Sequence, residues 1–466
     1  MSLVYFIALP ILASFLTPLY KNYLRYISVL LNIILLYIAF SFSSLLPLTQ
    51  YIGFDSALSI SFILDKASLF FVSLFILVML LFSIFNLKEK SNKAIFILTN
   101  LLLAGVLGLV LSGDIFNIYI FFEIASVSAY ILTTLNKDKL AYSGAIRYMI
   151  IGSIASIFLL LAIMLIYLNI GSLNLIAISK EFSTIDEKIQ FLILLSLFIG
   201  FGIKAEIFPL NFWVPDIYQA SSSKVASLFS SILSKSYIFV FFHIAYILQI
   251  DSKYFNFLVI LGLISFIISE ISALSSKETK RVFAYSTLGQ LGILFLAFSY
   301  GDVDILTGAI FLVAIHSITK LMLFLSLDIL ETRFNSTKTE IFKQFNSLFL
   351  TIIFAIGFLS LLGIPPFGGF IAKLTILKGL ASLQEYLIIG IILVISLVEA
   401  VYFFRLLGYT RETTDINKKD IQIPFIQKSI LSFIAILILY LGISPQEFLS
   451  ICFDVASLFL EGAKDV

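Results

Sequence analysis

Residues 197–210 read LFIGFGIKAEIFPL, a run apolar enough for a bilayer that nonetheless carries Lys204 and Glu206 and is punctuated by Gly202 and Pro209. The same juxtaposition recurs along the chain. Glu123 lies in IYIFFEIASVSAYIL (118–132), Lys235 in SLFSSILSKSYIFVF (227–241), Lys320 in LVAIHSITKLMLF (312–324) and Lys373 in GFIAKLTIL (369–377). An ionisable group near the bilayer centre costs about 2.5–3.5 kcal/mol on insertion scales, so such residues face a protein interior or water, pair with one another and mark ion pathways. The pattern predicts that these groups face one another or water along a route for ions.

Composition agrees with this reading. Of 466 residues, 60% are hydrophobic, 15% aromatic and only 12% charged, and the mean hydropathy is +1.09. Those values describe a polytopic membrane protein. The net charge of +2 is small and dispersed, which gives no reason to expect nucleic acid as a partner. A single cysteine, Cys452, excludes a disulfide framework or iron–sulfur ligation within the chain, and two histidines, His243 and His316, are too few and too far apart for a metal site. No P-loop or dinucleotide glycine fingerprint is present. The chain is therefore expected to hold no cofactor, no metal and no catalytic centre, and to draw energy from an ion gradient or a partner.

Windows of about 20 apolar residues, the length that spans a hydrocarbon core, predict an all-α fold of fourteen transmembrane helices. Among them are spans at 148–169, 189–211, 225–248, 305–330, 348–379 and 429–450. The opening MSLVYFIALPILASFL has no positive segment before its apolar run and reads as a retained first span. Numbered in order, the odd loops carry nineteen basic residues, among them Lys21, Lys90, Lys224, Lys280 and Lys418, and the even loops four: Lys66, Lys180, Lys188 and Lys253. The positive-inside rule then places odd loops in the cytoplasm and both termini outside, for a multi-pass protein of a prokaryotic cell membrane.

Two spans read as broken. The seventh contains GFGIKAEIFPLNFWVP, and the twelfth contains GIPPFGGFIAK, with Pro365, Pro366, Gly368 and Gly369 just before Lys373. Proline removes a backbone donor and clashes with the preceding turn; freed backbone groups at membrane depth persist only where protein or water satisfies them. The breaks are five spans apart, and an odd-numbered repeat enters the membrane inverted the second time. The expected organisation is three N-terminal helices (1–93), a first five-helix repeat (94–250), its inverted copy (251–410) and a C-terminal helix (411–466), with Lys204 and Lys373 in corresponding places.

Depth follows from the helical rise. Glu123 lies nine residues beyond Asp114, roughly 13 Å in, and Lys235 eleven residues beyond Lys224, roughly 16 Å in. Desolvation favours the neutral form of each group and a nearby opposite charge the ionised form, so movement of Glu123 relative to Lys204 would switch the lysine's proton affinity. His316 and Lys320 are four apart and share a helix face, where an imidazole suits a proton relay as well as simple packing. Lys320 either joins that relay or snorkels to the interface. Glu206 would point about 200° away from Lys204 on an unbroken helix; at a break, relay and structural pairing both stay open. Glu399 and Arg405 are six apart and need not meet, and an anchoring role suits Arg405.

GDIFNIYIFFE around Glu123, GIKAEIFPLNFWVPD around Lys204, KRVFAYSTLGQLG at 280–292, HSITKLMLF around Lys320 and GIPPFGGFIAK before Lys373 resemble the antiporter-like subunits shared by respiratory complex I, membrane-bound hydrogenases and Mrp-type cation/proton antiporters. The likeness covers nearly the whole chain in the family's motif order and is closest to the Mrp D-type subunit. It implies two inverted five-helix repeats in fourteen helices, Glu123 and Lys204 as the key pair, Lys235 as the connecting lysine, His316 and Lys320 on a central polar axis, and Lys373 as the second-half proton site; Glu206 and Glu399 are further relay candidates. Partners would be other membrane subunits of a hetero-oligomeric complex. The implied activity is proton translocation in a complex I-like or related respiratory assembly, with an Mrp-type Na⁺/H⁺ antiporter or a structural anchoring subunit as alternatives. Three departures stand out. QASSSKVAS (219–227) replaces a proline-rich turn, Asn211 stands where complex I members tend to have histidine, and Glu206 replaces a small residue. The long lateral helix of the largest complex I member is expected to be missing.

Overall fold

The computed structural model describes residues 2–20, 23–53, 60–88, 92–411 and 419–461. Lys21, Lys90 and Lys418, three of the loop charges, lie outside the described residues. Helices α1 (Tyr5–Phe15), α2 (Leu24–Phe42), α3 (Lys66–Phe85), α4 (Lys93–Leu111), α5 (Ile115–Thr133), α6 (Lys139–Ile170), α7 (Leu175–Glu181) and α8 (Glu187–Lys204) come first. Two short helices, α9 (Val214–Ala220) and α10 (Ser223–Leu228), precede α11 (Ser234–Ile247). The chain continues as α12 (Ser252–Ser275), α13 (Thr279–Ser299), α14 (Val303–Phe334), α15 (Leu348–Leu362) and α16 (Gly368–Ser382). It closes with α17 (Tyr386–Arg411), α18 (Phe425–Ile443) and α19 (Gln446–Glu461). Eleven of the described helices or helical runs are long and apolar enough to cross a membrane.

Two compact units emerge. The first comprises residues 1–206, 232–254 and 457–466, and the second 207–231 and 255–456. In the first, α4 is the central helix, packed against α1, α3, α5 and α11, while α6 packs along α8. Caps fix where its helices start. Asp65 accepts the Ser68 N–H at 2.6 Å and its own N–H is taken by the Ser68 hydroxyl at 2.8 Å, which starts α3. Asp114 accepts the Asn117 N–H at 2.7 Å and starts α5, which sets the depth of Glu123. In the second unit α14 plays the central part, with α10, α13, α15, α16 and α18 around it.

Several spans differ from their sequence limits. The seventh stops as helix at Lys204, and the chain resumes as α9 only after Trp213. The twelfth is two helices, α15 ending at Gly363 in the left-handed region (φ 78°) and α16 beginning at Gly368. Between α10 and α11, residues Phe229–Leu233 form a π turn that ends two residues before Lys235; such insertions often mark functional positions. α6 and α14 each run for 32 residues, well beyond their apolar cores, because nothing at those ends breaks a helix until Gly171 and Asn335 adopt left-handed caps. The last span ends at Ile443 rather than at 450 because Pro445 disfavours helix at Ser444; α19 follows as a separate, amphipathic helix. The all-α expectation omits a small hairpin, strands Leu48–Ile52 and Ile60–Leu64 paired antiparallel with Leu48 opposite Leu64, and a two-residue parallel pairing of Phe345–Asn346 with Lys419–Asp420.

Candidate functional site

In the first unit, α5 presents Glu123, Ser126 and Tyr130 at i, i+3 and i+7, one stripe of a single face. Lys204 meets this stripe from the end of α8. Its amine donates to the Tyr130 phenol at 2.7 Å and lies 4.5 Å from the Tyr130 ring centre, 4.8 Å from that of Tyr148 and 5.6 Å from that of Phe122. The cation is thus held by ring faces and one hydroxyl. As the last residue of α8 it also sits at the negative end of that helix, worth about 0.3–1 kcal/mol to a cation. The Ser156 hydroxyl donates to the Glu123 carboxylate, and Ser126 is 3.2 Å from the Tyr237 hydroxyl.

Gly152 explains how the amine and the phenol share so small a space. A Cβ at that position would overlap the Tyr130 hydroxyl and come within 2.7 Å of Lys204 Nζ. Glu123 and Lys204 therefore belong to one cluster, but their direct bonds go to Ser156 and Tyr130 rather than to each other. Lys235, second residue of α11, is buried in the same unit. Glu206 is buried too, with φ 62° just past the end of α8, so the 200° separation expected of a continuous helix does not apply.

The second unit holds a denser cluster. Lys373 Nζ is 3.0 Å from Glu399 Oε2, and both side chains are buried. Gln290 Nε2 donates to Glu399 Oε1 at 3.0 Å, and the Tyr402 hydroxyl donates to Glu270 Oε2 at 2.8 Å. Lys320 donates to the Phe283 carbonyl at 3.0 Å and to Ser286 Oγ at 2.9 Å. With 0% exposure it does not snorkel, and His316, one turn earlier on α14, is equally buried. Arg405 leaves Glu399 alone and donates to the Leu274 carbonyl at 3.0 Å near the end of α12.

Lys373 and Lys204 differ relative to their breaks: Lys204 closes the helix before its break, whereas Lys373 lies in the helix after. Lys373 lies in the second turn of α16, and Glu399 supplies its counter-charge. A fifth buried amine escaped the sequence reading. Lys280, read as a loop charge, is on α13 and 2% exposed, bonded to the Ser221 carbonyl and to Glu331, each at 2.8 Å. Glu270, Gln290, Tyr130, Ser156 and Tyr402 were missed as well. The i, i+3, i+7 polar stripe on α5 was the one available signal for Tyr130.

Comparisons with known proteins agree on one family. Residues 112–398, more than half of the chain, match the family model described as NADH:quinone oxidoreductase/Mrp antiporter, transmembrane. The protein named as antiporter subunit mnhD2 in Staphylococcus aureus is 27% identical over 433 residues, covering 88% of this chain and 85% of that one. Among solved structures, a chain of the archaeal membrane-bound sulfane sulfur reductase superposes with a TM-score of 0.93 at 28% identity, covering 99% of each chain. A chain of the Mrp complex from Dietzia sp. DQ12-45-1b gives 0.89 at 20% identity, covering 99% of this chain and 97% of that one. A chain of Thermus thermophilus respiratory complex I gives 0.86 at 20%, covering 99% and 100%. The buried amines and carboxyls thus sit in a multi-pass membrane fold of known kinship, and the chain belongs to the NADH:quinone oxidoreductase/Mrp antiporter transmembrane family.

Proposed function

We propose that the chain is a proton-translocating subunit of a multisubunit membrane complex, in which Glu123, Lys204, Lys235, His316, Lys320 and Lys373 exchange protons, with Glu399 as counter-ion to Lys373 and Glu206 as an auxiliary acid. The observation that carries this reading is that each unit holds a buried lysine next to a helix break, bonded to groups that themselves exchange protons: Tyr130 for Lys204 and Glu399 for Lys373. A buried amine so placed holds or releases its proton according to the position of the nearest acid. The eleven long helices, together with α1, α8 and the broken α15–α16 segment, make up the fourteen spans of this proposal. Residues 94–250 and 251–410 are its inverted repeats, and both termini lie outside. Any redox centre belongs to other subunits.

The test is proton flux in vesicles containing the assembled complex. Lys204→Ala is expected to abolish flux while the complex still assembles; flux at the unaltered rate refutes the reading. Similarity to an antiporter subunit supports a second reading, Na⁺/H⁺ exchange without electron transfer. Sodium-dependent proton flux with no electron donor present favours it, and flux that requires a donor and ignores sodium rejects it. Unaltered flux after loss of both Glu123 and Lys204 would point instead to a purely anchoring subunit.

A further inference from the structure

Glu270 of α12 is fully buried, and none of the relay positions above uses it. Its Oε2 accepts from the Tyr402 hydroxyl at 2.8 Å; its Oε1 has no hydrogen-bond partner among the described residues. The space for that oxygen is made by Gly289 of α13, where any Cβ would overlap it. The next residue, Gln290, binds Glu399. Glu399 and Tyr402 are three apart on α17 and share a face. The charged groups around Glu270 are Glu399 of α17, Lys373 of α16 and Lys320 of α14. Lys320 donates to Ser286 at 2.9 Å, and Ser286 lies near the Tyr402 phenol.

We propose that Glu270 is a further proton-carrying residue of the second unit, linked to Lys320 through Ser286 and Tyr402, and standing next to the Lys373–Glu399 pair. The proposal rests on the proton-translocating reading above. In the transfer, a Lys320 N–H bond breaks and its proton joins Ser286 Oγ; Ser286 passes its own hydroxyl proton to Tyr402, and the phenolic proton passes to Glu270 Oε2. An ammonium and a carboxylate become an amine and a carboxylic acid, and both hydroxyls are restored. Net charge inside the cluster does not change, so the step moves a proton without placing a new charge in a dry interior. A half-turn of the protonated carboxyl then carries its O–H away from Tyr402 to the side on which Oε1 lay, from which the proton can leave again.

Two variants and one control, all in the assembled complex, test this. Glu270→Gln keeps the shape and loses the titratable oxygen; Tyr402→Phe keeps the ring and cuts the link. Both are expected to lower proton flux by roughly a hundredfold, the scale of one positioned proton-transfer group. Infrared difference spectra between two pH values should lose one carboxyl band in Glu270→Gln and keep it in Tyr402→Phe. Unaltered flux in either variant overturns the proposal, as does reduced flux in Glu270→Gln with the carboxyl bands unchanged, the outcome of a merely structural role. If Glu270→Gln does not assemble, Tyr402→Phe alone decides. Lys204→Ala, in the other unit, separates the two claims: if it too pumps normally, the proton-translocating reading fails, and if it is inactive while Glu270→Gln pumps, only the Glu270 proposal fails.

Discussion

Replacing Gly152 by alanine should disable the first cluster without replacing any titratable group. The added Cβ would overlap the Tyr130 hydroxyl and stand 2.7 Å from Lys204 Nζ and 2.7 Å from the phenol's ring carbon. Real Cβ atoms do not tolerate such contacts, so the ring, the amine or α6 itself must move. Overpacking of this kind costs about 1–3 kcal/mol, and loss of a buried hydrogen bond to a charged group about 1.5–3 kcal/mol. If half or more of the second amount appears in the proton-transfer step, flux falls roughly three- to tenfold or more, since about 1.4 kcal/mol is a factor of ten. Gly390→Ala is the control, because a Cβ there meets nothing within 4 Å; it should leave flux unchanged and stabilise the helix by up to ~1 kcal/mol. Adding Tyr130→Phe to Gly152→Ala removes the worst overlap, so the pair should lose less stability than the two single losses summed. The assay is proton flux in vesicles alongside thermal unfolding of the purified complex. Wild-type flux and stability in Gly152→Ala would show that the Tyr130–Lys204 contact is neither tight nor used.

Other substitutions probe separate contacts. Glu399→Gln leaves the Lys373 amine buried without its counter-charge and should cost about 3–5 kcal/mol, whereas Lys373→Met with Glu399→Leu should unfold near the wild-type temperature yet carry no protons. Lys280→Ala removes one donor each from Glu331 and the Ser221 carbonyl and should lower stability by about 1–3 kcal/mol, measured by thermal unfolding. Asp114→Ala removes the cap of α5 at a cost of about 0.5–2 kcal/mol, while Asp114→Asn keeps the acceptor. Burial raises the Asp114 carboxyl above its ordinary value, so the folded state favours its protonated form. That contribution is fully present at acid pH and is lost as pH rises through the carboxylate range. Unfolding temperatures should therefore shift in favour of Asp114→Asn over wild type as pH rises; a constant difference would refute the sign.

The buried lysines were legible because a charge inside an apolar run is rare and expensive, and both breaks were legible because Pro209 and the Pro365–Pro366 pair interrupt a helix. Their partners were not. Tyr130 and Tyr402 look like ordinary membrane aromatics until the fold brings Lys204 and Glu270 to them, and Glu270 itself lies five residues from the end of α12, where an acid reads as the edge of a span. Lys280 misled for the converse reason: its sequence neighbours Lys277 and Arg281 suggest a solvated turn, yet Glu331 and the Ser221 carbonyl draw its amine inside. The π turn before Lys235 left no trace, since FSSIL fits an α-helix equally well. The strand pair Leu48–Ile52 and Ile60–Leu64 was passed over because its strands, five residues each, fall below the length at which a search for spans responds.

The most direct test of the central claim is a cryo-EM map of the assembled complex at a resolution that shows ordered water. Water or a hydroxyl should bridge the Glu123–Ser156 pair to the Lys204 amine, in at least one functional state. Close-packed apolar side chains between Glu123 and Lys204 in every state, with waters visible elsewhere in the same maps, would contradict it.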